Sequence, residues 1–178
     1  MTHDREHFRN SYVRNPPWDI GKPQAAFQAS ADKVVGSVLD AGCGTGEHAL
    51  FFATRGHAVT GFDFLEEPII AARRKAAERG LMVKFLVKDA LKLHGSTERF
   101  DNVLDSGLFH VFSDADRITY VRGLKTVLNP GGRLIARPQR STAAIPQTLQ
   151  SFALVTPHPN VPGLPRYIVP AAQLGHAA

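Results

Sequence analysis

The sequence predicts a single α/β domain in which a mostly parallel sheet is flanked by helices. Three observations support this fold class: strand-like and helix-like segments alternate from residue 37 onward, glycine or proline marks most of the junctions, and a glycine-rich loop follows the first strand. Consecutive parallel strands need crossover connections, and crossover helices cover both faces of such a sheet. A chain of 178 residues, 43% of them hydrophobic, is of the size and composition expected for one such domain.

The first half of the sheet is predicted from short apolar stretches. Three of these indicate strands, and they lie at residues 38–39, 58–62 and 83–87. Between them, residues 47–55 predict a helix that ends at Gly56. The next helix is expected to carry Pro68 in its first turn and to end at Gly80, because proline suits the start of a helix and glycine tolerates the left-handed turn after it.

The alternation continues through the second half. Residues 100–104 predict a fourth strand. Ser-Asp-Ala-Asp at 113–116 has the spacing of a helix N-cap with an acid in the first turn, which predicts a helix through Leu128. Asn-Pro-Gly-Gly at 129–132 is typical of a turn and leads into a fifth strand at 133–136.

Composition divides the chain into three regions. Residues 1–35 form an N-terminal arm with several aromatic residues and a helix predicted over 24–35. Residues 36–137 form the alternating domain. Residues 138–178 contain seven prolines, no acidic residue and no sustained hydrophobic period, so we predict an irregular tail.

Charge and hydropathy exclude several classes of function. Of the net charge of +5, Arg140 and Arg166 contribute +2 in the tail, which leaves an ordinary +3 for the rest and no indication of nucleic-acid binding. The basic run at 73–75 lies in a helical pattern and is interpreted as a solvated helix face. There is no long apolar run and the N-terminus is charged, so we expect a cytoplasmic protein without a membrane partner. Cys43 is the single cysteine and cannot form an internal disulfide.

The glycine-rich loop is the main functional signal. Asp-Ala-Gly-Cys-Gly-Thr-Gly at 40–46 joins the first strand to the first helix of the domain, where a backbone without Cβ atoms can approach a ligand closely. Dinucleotide-binding loops have the spacing G-x-G-x-x-G, in which Glu47 would replace the third glycine and face a pyrophosphate. The spacing therefore argues against NAD.

Four aspartates lie at equivalent positions in the predicted sheet. Each stands at the carboxyl end of one of four successive predicted strands, and they are Asp40, Asp63, Asp89 and Asp105. Ligands bind at this edge in open parallel sheets. The carboxylate of Asp63 can accept hydrogen bonds from two adjacent ribose hydroxyls.

From about residue 36 to residue 135 the sequence resembles the class I S-adenosylmethionine-dependent methyltransferases, whose first motif is similar to Leu-Asp-Ala-Gly-Cys-Gly-Thr-Gly at 39–46. The resemblance implies a Rossmann-like fold with S-adenosyl-L-methionine as cofactor. It also implies a set of cofactor contacts: Gly42 and Gly44 to the methionine moiety, Asp63 to the ribose, Phe64 to the adenine face, Asp89 and Ala90 to the adenine edge, and Asp105 and Ser106 near the amino-acid end.

Within that class, residues 16–24 are similar to the N-terminal stretch of the thiopurine and halide/thiol methyltransferases, in which a Pro-Trp-Asp arm folds over the bound cofactor. This role carries over to Trp18, with anchoring of the arm in the core as the alternative. Tyr12 or Phe8 is a further candidate for the cover. The resemblance implies methyl transfer to a small thiol, thiopurine or halide. A phenol or quinol oxygen would need a base, for which His110 is the one candidate, with simple packing as its alternative.

The tail departs from that family, whose members continue after the fifth strand with a helix and two antiparallel strands. We therefore expect the last two strands to be missing and the fifth strand to become an edge. A tail translated in another reading frame is one explanation, which the coding DNA would test. The rival to an active enzyme is a non-catalytic or degenerate cofactor-binding remnant. No metal site is predicted, and the sequence carries no prediction of the oligomeric state.

Overall fold

The computed structural model describes residues 5–13, 16–136 and 167–170, and it contains one sheet. Its strands are β1 (Val38–Ala41), β2 (Val59–Asp63), β3 (Lys84–Val87), β4 (Phe100–Asp105), β5 (Leu128–Ala136) and β6 (Tyr167–Pro170). They lie in the order β3-β2-β1-β4-β5-β6, with β1 to β5 parallel and β6 antiparallel to β5. The predicted α/β fold with a mostly parallel sheet is confirmed.

Helices precede the sheet and connect its strands. They are α1 (Arg5–Val13), α2 (Ala25–Gln28), α3 (Glu47–Thr54), α4 (Glu66–Glu78), α5 (Leu108–Val111) and α6 (Asp114–Val127), with 3-10 segments at Ala31–Lys33 and Ala90–Gly95. The N-cap prediction for α6 is confirmed, because Ser113 Oγ accepts a hydrogen bond of 3.2 Å from the Asp116 amide. Gly56 and Gly80, at φ +85° and +63°, follow α3 and α4 as predicted.

Two hydrophobic clusters cover the two faces of the sheet. On one face the buried side chains of α3 and α4, among them Phe52 and Ile69, pack against β1 and β2. On the other face α6 contributes Tyr120 and Leu124, both fully buried. Burial on both faces explains why the strands are short apolar runs rather than alternating ones.

Two local predictions are wrong. The helix predicted over 24–35 is broken into α2 and a 3-10 segment at Ser30. The Ser30 hydroxyl donates a hydrogen bond of 2.8 Å to the Ala26 carbonyl, and the Ser30 amide donates to the Phe27 carbonyl three residues earlier. Bonds over three residues are typical of 3-10 rather than α-helical geometry, so the α-helix does not continue. The turn predicted at 129–132 lies within β5, where it forms an irregularity in the pairing with β4. Gly131, at φ +80°, provides the left-handed conformation that this irregularity needs.

The prediction that β5 is an edge strand and that the tail contains no strand is also wrong. Residues 167–170 pair with 133–136 in antiparallel register, so the tail supplies a strand next to β5. Pro170 stands at the last position of this outermost strand, where a missing amide is tolerated. Residues 138–166 and 171–178, the rest of the predicted irregular tail, lie outside the described residues.

Candidate functional site

Two adjoining cavities lie at the carboxyl ends of the central strands, as the topology of open parallel sheets predicts. The larger has a volume of about 140 Å³ and is lined by the arm, the glycine loop and the ends of β2 and β4. The smaller has a volume of about 70 Å³ and continues toward the end of β3. Five side chains or loop positions belong to both walls, and they are Phe8, Gly42, Phe64, Leu108 and Val111.

The glycines of the loop have different roles. Gly42 and Gly44 line the larger cavity at φ +66° and +52°, and a Cβ on Gly44 would come within 2.8 Å of the Tyr12 hydroxyl oxygen. Gly46, at φ +87°, packs instead against the inner layer, where a Cβ would lie 2.8 Å from the Phe85 ring. The first two glycines therefore allow Leu108 and Tyr12 to approach the loop closely where it borders the cavity, and the third allows close packing of loop and sheet.

Asp63 is the acidic side chain of the larger cavity at the end of β2. Its Oδ2 accepts a hydrogen bond of 3.1 Å from the Gly44 amide and its Oδ1 one of 3.0 Å from the Leu65 amide. Burial raises the pKa of this carboxyl, while the amides of Leu65, Gly44 and Phe64 oppose the shift. The amides hold the side chain rigidly, and because a carboxylate can accept about four hydrogen bonds, Asp63 can still accept from a ligand hydroxyl.

The smaller cavity has an apolar wall and one acid. Phe62 and Phe112 line it together with Ala90, and Asp89 stands beside them at the end of β3. The Oδ1 atom of Asp89 accepts 2.9 Å from the Leu91 amide and caps the 3-10 segment. A flat ring with an amino edge would fit this slot, because the second carboxylate oxygen can accept from that edge.

The other two aspartates lie beneath the cavities rather than in their walls. Asp105 accepts hydrogen bonds of 3.1 Å from the Phe109 amide and 3.1 Å from the Tyr120 hydroxyl, and burial raises its pKa to about 6. Asp40 accepts 3.0 Å from the Ala49 amide, its Oδ1 has no hydrogen-bond partner within the described part of the chain, and burial raises its pKa to about 7. Ser106, which follows Asp105, does line the larger cavity.

The N-terminal arm forms the outer wall of the larger cavity. Trp18 contacts Phe8 and Tyr12 edge-on, with ring centroids 6.0 and 6.3 Å apart, and Phe8 in turn contacts Phe64 at 5.6 Å. Burial and the nearby charge of Asp63 raise the pKa of Tyr12, against a hydrogen bond with Trp18 that lowers it. The structure thus brings Trp18, Tyr12 and Phe8 to the cavity opposite the glycine loop.

The two histidines near the site differ in position. His110 is half-buried on α5 and is not part of either cavity wall, and burial followed by the charge of Arg117 lowers its pKa. His48, which sequence reasoning missed, lines the larger cavity from the second position of α3. Its Nε2 accepts a hydrogen bond of 3.2 Å from the Gln24 amide, so this nitrogen carries no proton and its lone pair is engaged. The position directly after the glycine loop was the signal that could have identified it.

Glu47, which would stand in the place of a dinucleotide loop's third glycine, is neutralised from outside the cavity. Its carboxylate accepts 2.8 Å from Lys75 Nζ and 3.1 Å from each of two Arg79 nitrogens. Burial alone would raise the pKa of Glu47, but the hydrogen bonds from Arg79 and Lys75 outweigh it and the pKa lies below its ordinary value. Lys75 of α4 and Arg79, directly after the end of this helix, therefore supply the counter-charge to this acid.

Among the described residues, no helix combines the length and the apolar composition needed to cross a membrane. The same residues contain no group of three or more His, Cys, Asp or Glu side chains placed to hold a metal ion.

Comparison with known proteins identifies the family. Residues 38–132 match the family described as methyltransferase domain. The chain belongs to this methyltransferase family. It is 41% identical over 123 residues to a 2-heptyl-1-hydroxyquinolin-4(1H)-one methyltransferase of Mycobacteroides abscessus, covering 67% of this chain and 54% of that protein. It is 38% identical to a demethylmenaquinone methyltransferase of Thermus thermophilus, covering 66% of this chain and 53% of the other. The methyltransferase chain thus spans about half the length of these curated relatives.

Solved structures agree with this family. One, described under the conversion of a disulfide bond into a thioacetal group during echinomycin biosynthesis, is 48% identical with a TM-score of 0.66, covering 68% of this chain and 51% of that one. A 1,6-didemethyltoxoflavin-N1-methyltransferase of Burkholderia thailandensis, solved with bound S-adenosylhomocysteine, is 28% identical with a TM-score of 0.65, covering 79% and 63%. S-adenosyl-L-methionine is accordingly the cofactor of this fold. The chemistry of the glycine loop, the Asp63 carboxylate and the apolar slot beside Asp89 is compatible with a ligand that has amino-acid, ribose and adenine parts.

Proposed function

We propose that this methyltransferase domain transfers the methyl group of S-adenosylmethionine to a small-molecule acceptor, and that the favoured acceptor atom is sulfur. The observation that supports the proposal is the arrangement of Asp63, the glycine loop and the aromatic arm around one continuous site. When bound, the cofactor supplies a methyl group that its sulfonium already activates. What the chain must add is binding, alignment and exclusion of water.

The residues around the two cavities suit these tasks. We assign the ribose hydroxyls to Asp63, whose oxygens are fixed by the Gly44 and Leu65 amides. The adenine belongs in the slot of Asp89 and Ala90, with Phe64 against its face. Gly42, Gly44 and Ser106 are assigned to the methionine end of the cofactor. Asp105, which lies behind the wall, is assigned to support through Phe109 and Tyr120.

The arm side of the larger cavity is assigned to the acceptor. The apolar part of its lining comes from Tyr12 and Ile20 of the arm and from Leu108 and Val111 of α5, while Trp18 of the arm is assigned to covering the cofactor. Such walls favour an apolar acceptor and exclude water from the reacting atoms. Holding two reactants in line can supply about 7–11 kcal/mol of the barrier, so positioning alone is a substantial contribution.

The protonation state of His48 favours sulfur as the acceptor atom. A hydroxyl acceptor needs a group that takes its proton, and His48 is the histidine of the cavity wall. Its unprotonated nitrogen already accepts the Gln24 amide, so accepting a substrate proton would break that bond. A thiol is partly ionised at neutral pH and needs little such help. The similarity to the protein of the disulfide-to-thioacetal conversion also points to sulfur.

A hydroxyl acceptor is the second candidate. One named relative is a 2-heptyl-1-hydroxyquinolin-4(1H)-one methyltransferase, and that compound is apolar and aromatic and carries a hydroxyl group. Such acceptors would also fit the walls of the cavity. If this candidate is right, His48 must release Gln24 to act as the base.

The experiment measures S-adenosylhomocysteine formation with alkyl and aryl thiols and with 2-heptyl-1-hydroxyquinolin-4(1H)-one. His48→Gln is compared with His110→Gln, a matched change in a histidine outside the cavity walls. For thiol transfer, both variants should retain most activity. For base-assisted hydroxyl transfer, His48→Gln should lose about a hundredfold or more while His110→Gln does not. Binding of S-adenosylhomocysteine without turnover of any acceptor would favour the non-catalytic alternative.

A further inference from the structure

Lys75 lies outside the walls of both cavities and yet connects to the arm. It belongs to the last turn of α4, with 20% of its side chain exposed. Its Nζ donates 2.8 Å to the Thr45 hydroxyl and 2.8 Å to Glu47. The basic run at 73–75 was interpreted from the sequence as a solvated helix face, and that interpretation is wrong for Lys75, because Glu47 and the glycine loop lie beside it.

The direction of the hydrogen bonds is fixed by the donors. An ammonium group can only donate, so the Thr45 oxygen must accept from Lys75 and use its single proton elsewhere. That proton goes to Asp19 Oδ2, which is 2.8 Å from the Thr45 oxygen. Lys75, Thr45 and Asp19 therefore form a one-way chain from a cation through a hydroxyl to a carboxylate, and both bonds are strengthened by charge.

Asp19 carries this chain into the arm. Its amide donates 2.9 Å to the Pro16 carbonyl, which closes the turn that contains Trp18. Its Oδ1 accepts 3.3 Å from the Gly21 amide, so the carboxylate also fixes the chain beyond the tryptophan. Trp18 therefore directly precedes a residue, Asp19, that is connected through Thr45 to Lys75 of α4.

Arg79 shares the neutralisation of Glu47 with Lys75, so Lys75 can also donate to Thr45. Two Arg79 nitrogens reach both oxygens of Glu47 at 3.1 Å, so Glu47 has cationic partners besides Lys75. A second contact ties the arm to the first turn of the same helix, where Arg9 donates 2.7 Å to Glu67. That pair is exposed on both sides and contributes little by comparison.

We propose that Lys75 is a positioning residue of the cofactor site, which acts through Thr45 and Asp19 to hold Trp18 over the glycine loop. The inference rests on the proposed cofactor binding. Lys75 itself touches no reacting group. Its loss should leave the sheet intact, because Arg79 still neutralises Glu47, but should release the arm and weaken cofactor retention.

The test uses the full chain and its single tryptophan. Since Trp18 is the only tryptophan in the sequence, its fluorescence reports on the arm alone. Lys75→Met removes the donor, Lys75→Arg keeps a donor-only cation, and Arg74→Met is the matched control on the same helix, since the Arg74 side chain is 71% exposed and pairs only with Glu78 among the described residues. Acrylamide quenching of ligand-free protein and calorimetric titration with S-adenosylhomocysteine are measured for each.

Lys75→Met should increase the quenching of Trp18 and weaken S-adenosylhomocysteine binding about tenfold, the effect of losing a charge-assisted hydrogen bond. Lys75→Arg should lie between it and the wild type, and Arg74→Met should match the wild type. If Lys75→Met does not fold, Thr45→Val and Thr45→Ser replace it, and only the valine variant should show both effects.

Two results would overturn the inference, and they are distinguishable. If the wild type binds S-adenosylhomocysteine and Lys75→Met binds it equally well, the positioning role is wrong while the proposed function stands. If the folded wild type does not bind S-adenosylhomocysteine, both are wrong.

Discussion

Replacing Asp63 with alanine should weaken cofactor binding without abolishing the fold. In the proposed complex the carboxylate accepts hydrogen bonds from two ribose hydroxyls. A hydrogen bond to a charged group contributes about 1.5–3 kcal/mol, so the dissociation constant of S-adenosylhomocysteine should rise about 10- to 150-fold. Calorimetric titration of the purified variant at a temperature well below its unfolding transition measures this change directly.

The same substitution should also lower stability. Asp63 is only 5% exposed and accepts the Leu65 amide at 3.0 Å and the Gly44 amide at 3.1 Å. Removing the acceptor of a buried amide costs about 1–3 kcal/mol, and the glycine loop loses one of its supports. A loss of affinity could therefore arise from a disordered loop rather than from missing ribose contacts.

Asp101→Ala provides the control. This carboxylate accepts three hydrogen bonds, from the Ser37 amide and hydroxyl and from the Asn129 side chain, at the start of β4 and away from both cavities. The variant should melt at a lower temperature than the wild type and bind S-adenosylhomocysteine equally well. An unchanged affinity in folded Asp63→Ala, or an equal loss in Asp101→Ala, would refute the assignment of Asp63 to the ribose.

Three further predictions concern the loop and the buried acids. Tyr120→Phe removes a buried donor 3.1 Å from Asp105 and should destabilise the ligand-free protein by about 1–3 kcal/mol in a denaturant titration; wild-type stability would contradict the role of this bond. Burial raises the pKa of Asp40 to about 7, above its value in the unfolded chain, so its contribution to stability is present at low pH and is lost as pH rises through about 7. Asp40→Asn should therefore melt higher relative to the wild type at about pH 8 than at about pH 5, and a pH-independent difference would show that this carboxyl does not titrate there. Gly44→Ala places a methyl group 2.8 Å from the Tyr12 hydroxyl at φ +52° and should abolish saturable S-adenosylhomocysteine binding in a chain that still folds, whereas retained affinity would mean that the loop and the arm can separate at no cost.

Most of the fold follows from local signals. The parallel strands are mostly short apolar runs, and the predicted positions lie within one or two residues of β1 to β4, whereas β5 begins at Leu128, five residues before its predicted start. Ser113 and Gly56 mark helix ends by chemistry that operates within a few residues, which is why these predictions are confirmed. The placement of ligand-facing residues at one sheet edge follows in turn from the parallel order of the strands.

The structure differs from the sequence predictions where contacts between residues far apart in the chain determine the local structure. Tyr167–Pro170 has no alternating pattern, and its strand exists because β5 offers an unpaired edge to it. Four aspartates have the same position relative to their predicted strands, so the sequence does not distinguish them. Tertiary packing does: Asp63 and Asp89 lie in the cavity walls, and Asp40 and Asp105 lie beneath them. The role of Lys75 depends on the proximity of α4 and the glycine loop, which are thirty residues apart along the chain.

Above all, we infer that the glycine loop and the aromatic arm bind S-adenosylmethionine rather than a dinucleotide. Titrating the wild-type chain with S-adenosylmethionine and, separately, with NAD, while following Trp18 fluorescence, tests it most directly. We expect saturable binding of one S-adenosylmethionine per chain with a change in Trp18 emission, and no binding of NAD, because Glu47 occupies the position of the third glycine of a dinucleotide-binding loop. A folded chain that binds NAD, or that binds neither compound, would contradict it.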